Sequence, residues 1–122
     1  MNNNFTKLIL AECDTSWERF LHFRELEYDP DFFNEVKPYA DKIDGILQEW
    51  QKEMAAWIVE EKPKYVRMPQ IDNACEQLGQ VIVQSFYRKT SKKRFFESIQ
   101  AVKYTCETIL RARGEDRYEE DA

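Results

Sequence analysis

The sequence predicts an all-α fold, an antiparallel up-down-up-down four-helix bundle, and three observations predict it. Glycine and proline number only three and four among 122 residues, about half the usual combined share of roughly 12 %. That scarcity excludes turn-rich β-sandwiches, glycine-loop nucleotide folds and collagen-like sequence. Apolar residues make up 43 % of the chain, enough for one core at this size. They recur with helical period in four stretches of similar length, separated by short punctuation.

The first stretch runs from about Asn4 to Glu27. Phe5, Ile9, Cys13, Trp17, Phe20 and Phe23 gather on one face, with Leu8 and Leu21 at its edges and Lys7, Asp14, Glu18, His22 and Glu25 opposite. Tyr28-Asp29-Pro30-Asp31 ends it, because proline restricts the residue before it and the aspartates cap the next element. A short turn over Phe32 to Lys37 comes next, and Pro38 either kinks the second helix or starts it. Ala40, Ile43, Leu47, Trp50, Met54, Trp57 and Ile58 then form one stripe, with Gly45 on the opposite face, until Lys62-Pro63 stops it. Pro69 occupies a favoured first helical position. Ile71, Ala74, Cys75, Leu78, Val81, Ile82 and Phe86 share the apolar face of this third helix. Ser91 is the expected N-cap of the fourth, and Gly114 its C-terminal glycine. Phe95, Ile99, Val102, Cys106, Ile109 and Leu110 line up between them. Helices of about 20 to 25 residues span roughly 30 to 37 Å, so the four match in length.

Residues 1–114 read as one domain and 115–122 as an acidic, disordered tail. The tail carries five acids and one arginine, a net of −4 out of the chain's −5, and lacks apolar periodicity. No run approaches the roughly 20 apolar residues of a membrane span, and Leu8 to Ala11 is too short for a signal-peptide core. Three widely spaced cysteines, an odd number, read as free thiols in a reducing, cytoplasmic setting.

Candidate chemistry is sparse. A di-iron bundle site needs inward glutamates and paired Glu-x-x-His motifs. The single histidine, His22, has Arg19 three residues before it and lies on a polar face, where pairing with Glu18 is the simple reading. No metal or other cofactor is expected. Cys13 and Cys106 lie centrally on apolar stripes and Cys75 at an edge, so the thiols read as core. No G-x-S-x-G or phosphate-cradling glycine loop occurs.

The most localised charge feature is Arg88-Lys89-Thr90-Ser91-Lys92-Lys93-Arg94, with five basic residues in seven. Arg88, Lys89, Ser91, Lys92, Lys93 and Arg94 together form the candidate anion or partner site, helped by the free N–H groups of the following helix. Bundle topology puts this turn at the same end as Glu25, Glu27, Asp29 and Asp31, and neutralisation by those acids is the bland explanation. The amide-rich face of the third helix (Asn73, Gln77, Gln80, Gln84) is simply solvated or borders a partner surface.

Ordered matches carry a family resemblance. Asp31-Phe32-Phe33, Lys37-Pro38, Pro63-Lys64-Tyr65-Val66, Gln70-Ile71, Val83-Gln84-Ser85-Phe86, Lys92-Lys93-Arg94-Phe95 and Tyr104-Thr105 resemble the YppE-like family of small bacterial proteins over roughly residues 28–110. The resemblance implies a four-helix bundle and no activity. Where that family has histidines just upstream of the Lys92 segment, this chain has Tyr87, Arg88 and Lys89, so no histidine-dependent role carries over. The expectation is a non-enzymatic cytoplasmic bundle, monomeric or homodimeric, acting through protein contacts away from membranes. The alternative is anion, phosphate or nucleic-acid binding by the basic turn. Net negative charge and a single nearby aromatic, Tyr87, weigh against nucleic acid.

Overall fold

The computed structural model describes residues 3–26, 29–87 and 89–114. Four helices follow one another: α1 (Asn4–Glu25), α2 (Lys37–Glu61), α3 (Met68–Gln84) and α4 (Lys92–Ala112). Each packs on its sequence neighbours, α4 closes onto α1, and α1 meets α3 across the core. This is the four-helix bundle the periodicity predicts, with no strand among the described residues.

Local chemistry sets the helix ends. Before α2, Phe32–Val36 form a single π-helical turn. The Asp31 carboxylate accepts the Phe33 and Asn34 N–H groups at 3.0 and 3.2 Å, while Glu35 Oε2 accepts the Asp31 N–H at 2.6 Å. This reciprocal cap satisfies donors that have no helical partner. Hydrogen bonds from the Asn34 side chain and backbone hold the Asp31 carboxyl below its usual pKa. Pro38 therefore starts α2 and does not kink it, its missing N–H falling where none is needed. Lys62 ends α2 in the left-handed region at φ 48°. Ser91 Oγ accepts the Arg94 N–H at 3.3 Å, and Gly114 turns the chain at φ 78°, as the sequence predicts.

The core is one cluster drawn from all four helices and the Val66 turn. Phe20 and Phe95 stack nearly parallel with centroids 4.0 Å apart, and Trp17 abuts both. Trp50 is fully buried and donates its indole N–H to Thr6 Oγ1 at 3.0 Å. Lys103 ties α4 to α1 through Asp14 at 2.8 Å. At the far end Arg113, its side chain only 4 % exposed, pairs with Glu53 at 3.3 Å and lies 5.3 Å from the Trp57 ring centroid. No described helix is long and apolar enough to cross a membrane. The acidic segment 115–122 lies outside the described residues.

Candidate functional site

Three places concentrate polar chemistry: a buried network, the basic end of the bundle, and a groove between α3 and α4. The network centres on Glu12, only 7 % exposed. Its carboxylate accepts the Tyr39 hydroxyl and the Ser16 hydroxyl, the latter at 2.8 Å, and faces Arg19 at 3.5 Å. Arg19 also donates to Ser85 Oγ at 2.9 Å, and the Ser85 hydroxyl donates in turn to the Ile82 carbonyl at 2.6 Å. The guanidinium lies over both the Tyr39 and Phe86 rings, 4.5 and 4.7 Å from their centroids. Burial, with the Glu12 hydrogen bond second, raises the Tyr39 pKa. Every charged group here already has a partner, and the set knits α1, α2 and α3 together.

The thiols are placed for packing. Cys13 and Cys106 are buried and Cys75 is half-buried. Burial pushes Cys75 up to about 12 and Cys106 well above the ordinary thiol range, the reverse of an activated nucleophile. Exposed His22 packs edge-on against Phe23, centroids 5.4 Å apart. The expected Glu18 pairing is absent among the described ion pairs, since both side chains are free to hydrate outside the bundle. No cluster of three or more His, Cys, Asp or Glu side chains arranged for a metal occurs among the described residues.

At the basic end, Arg24 donates to the Thr90 carbonyl at 3.2 Å, so the first and third turns do share one end. Lys89, Ser91, Lys92, Lys93 and Arg94 are all exposed there. Arg88 and Glu27 lie outside the described residues. No ion pair joins Lys89, Lys92, Lys93 or Arg94 to a carboxylate among the described residues, while Asp31 is occupied capping its own turn. Lys92 Nζ instead sits 6.0 Å from the Trp17 ring centroid. The first turn of α4 contains no acid. A positive helix end favours anions by about 0.3–1 kcal/mol each, so three cations there act against the helix.

The groove was not legible as such in the sequence. Two hollows, of about 420 and 700 Å³, share Gln70 and Tyr104 as walls. Asn73 and Gln77 of α3 face Ala101 and Thr105 of α4 across the first. Tyr65, Thr108 and Arg111 shape the second. Tyr65 and Tyr104 are 70 % and 66 % exposed. Of the amides singled out from sequence, Asn73 and Gln77 line this groove, whereas Gln80 and Gln84 do not.

The profile described as "Bacterial domain of unknown function (DUF1798)" matches residues 6–112. The chain belongs to this family. It is 24 % identical over 104 residues to the "Uncharacterized protein YppE" of Bacillus subtilis, covering 85 % of each chain. The crystal structure of that protein superposes with a TM-score of 0.83 at 22 % identity, over 98 % of this chain and 95 % of the other. A Listeria innocua protein of unknown function gives 0.83 at 26 % identity, covering 98 % and 94 %. A Staphylococcus aureus DUF1798 domain gives 0.81 at 27 %, covering 90 % and 93 %. The YppE-like resemblance read from ordered short matches is thereby shown, and so is its bundle. Tyr65, Gln70, Tyr104 and Thr105, which helped carry that resemblance, all line the groove.

Proposed function

We propose that this DUF1798 member is a small non-enzymatic bundle of the cytoplasm that acts through protein contacts, with the α3–α4 groove as its contact face. One observation carries the reading. Two tyrosines 39 positions apart stand largely exposed over a channel walled mostly by amides, hydroxyls and alanines, with Glu76 at one hollow and Arg111 at the other, in a chain that is 34 % charged. Tyrosine offers a large apolar ring with one polar tip, which suits it to interfaces. The amides of the walls can bond the backbone of an incoming segment, with only Glu76 and Arg111 as ions to desolvate. The partner fitting this chemistry is an extended protein segment rich in polar, uncharged side chains. The polar groups most suited to catalysis, Glu12, Arg19 and Tyr39, are paired with one another and none lines the groove.

Replacing Tyr65 and Tyr104 together by serine should shift the melting temperature little, because both rings are exposed. In bacterial extract the unaltered chain is expected to elute at the mass of a complex, and the double variant at its own mass. Identical elution of the two would contradict the reading.

A second reading, anion or nucleic-acid binding, rests on Lys89, Lys92, Lys93 and Arg94, which are exposed and make no ion pair among the described residues. Under it, Lys92→Gln, Lys93→Gln and Arg94→Gln together weaken binding to an oligonucleotide and flatten its salt dependence. Unchanged affinity in that triple variant would remove it.

A further inference from the structure

The basic end holds five cations drawn from three segments: Arg24 at the end of α1, Lys89 in the connection, and Lys92, Lys93 and Arg94 in α4. Beside them lies an aromatic shelf. Phe96 is 46 % exposed and packs edge-on against Trp17 with centroids 5.4 Å apart. Three cations, Lys92, Lys93 and Arg94, crowd the start of α4, where the helix dipole disfavours them, whereas Asp31 and Glu35 place carboxylates ahead of α2. Such local conflicts without a gain in the fold mark sites that serve something else. Carboxylates also interrupt the surface, as Glu25 follows Arg24 and Glu97 follows Phe96. A peptide can place discrete acids between them.

The chain carries a segment of that composition. Residues 115–122 read Glu-Asp-Arg-Tyr-Glu-Glu-Asp-Ala, five acids around one tyrosine. They come after Gly114, at the bundle end marked by the Arg113–Glu53 pair, opposite the basic end. The 21 residues of α4 separate the two ends by roughly 31 Å. Eight residues at full stretch reach about 26–29 Å, so the five acids of one tail cannot together reach the basic end of its own bundle. A neighbouring molecule can. We infer that two copies associate antiparallel, each docking residues 115–122 on the other's Arg24, Lys89, Lys92, Lys93 and Arg94, with Tyr118 against the Trp17–Phe96 shelf. An antiparallel pair makes both contacts at once and closes by two-fold symmetry, whereas a head-to-tail arrangement leaves an open chain. The inference rests on the basic end being open to anions, the second reading above, and names the anion.

Sedimentation equilibrium tests it with three full-length proteins: the unaltered chain, a neutral-tail variant (E115Q/D116N/E119Q/E120Q/D121N) and a neutral-patch variant (K92Q/K93Q/R94Q). The unaltered chain is expected to dimerise at low salt and dissociate as salt rises, with either variant at least about tenfold weaker. Mixing the two variants should restore association in part, since the mixed pair regains one of the two tail–patch contacts that each variant alone lacks. A chain monomeric at low salt and millimolar concentration, or a dimer indifferent to both variants, overturns the inference. If the chain stays monomeric and the neutral-tail variant still binds an oligonucleotide through the patch, the tail assignment fails and the anion reading survives. If it binds none, both fail.

Discussion

Replacing Trp50 by alanine should cost about 3–5 kcal/mol and lower the melting temperature by roughly 10–20 °C. The indole is fully buried, so its removal opens a cavity among side chains that can only partly collapse. It also orphans the Thr6 hydroxyl that accepts the indole N–H at 3.0 Å. Trp50→Phe separates the two effects: the ring volume is largely kept, and the lost hydrogen bond leaves a cost of about 1–3 kcal/mol. Urea unfolding with an unchanged m-value measures both. A loss below about 1 kcal/mol for the alanine variant would show that α1 and α2 do not pack as described.

Glu12→Ala is the second large effect. It strips the acceptor from Tyr39 and Ser16 and leaves the Arg19 charge, on a side chain only 13 % exposed, with no carboxylate beside it. Removing one partner of a buried ion pair costs about 3–5 kcal/mol. Glu12→Gln preserves shape and one acceptor, so it should fall well short of that. Equal effects from the two substitutions would mean that the carboxylate's charge contributes nothing to joining α1, α2 and α3.

The same network marks where the sequence misled. The stripes of α3 and α4 were legible almost residue by residue, because apolar side chains at helical spacing have one physical explanation. On α1 the apolar reading placed Ile9, Cys13 and Phe20 correctly inside, but passed over Thr6, Glu12 and Ser16, which are buried too. Glu12, Ser16 and Arg19 stand at i, i+4 and i+7, one helical face beside Phe5 and Phe23. That spacing of three complementary polar groups was the available signal, masked by the rule that acids point outward. Basic-turn residues were legible as a run, yet the absence, among the described residues, of ion pairs from Lys89, Lys92, Lys93 and Arg94 to Glu25 or Asp31 was not. It depends on Asp31 being occupied by its own cap. The groove was least legible, because Tyr65 and Tyr104 converge only once α3 is known to pack on α4.

Contact through the α3–α4 groove, and not chemistry in the interior, is the proposed mode of action. A photoreactive amino acid at position 104, compared in living cells with one at exposed Lys42 on α2, distinguishes the two. Position 104 is expected to give a discrete protein adduct that disappears with Tyr65→Ser and persists with Glu12→Gln. An adduct equally strong from position 42, or one lost with Glu12→Gln while the bundle stays folded, would contradict contact through the groove.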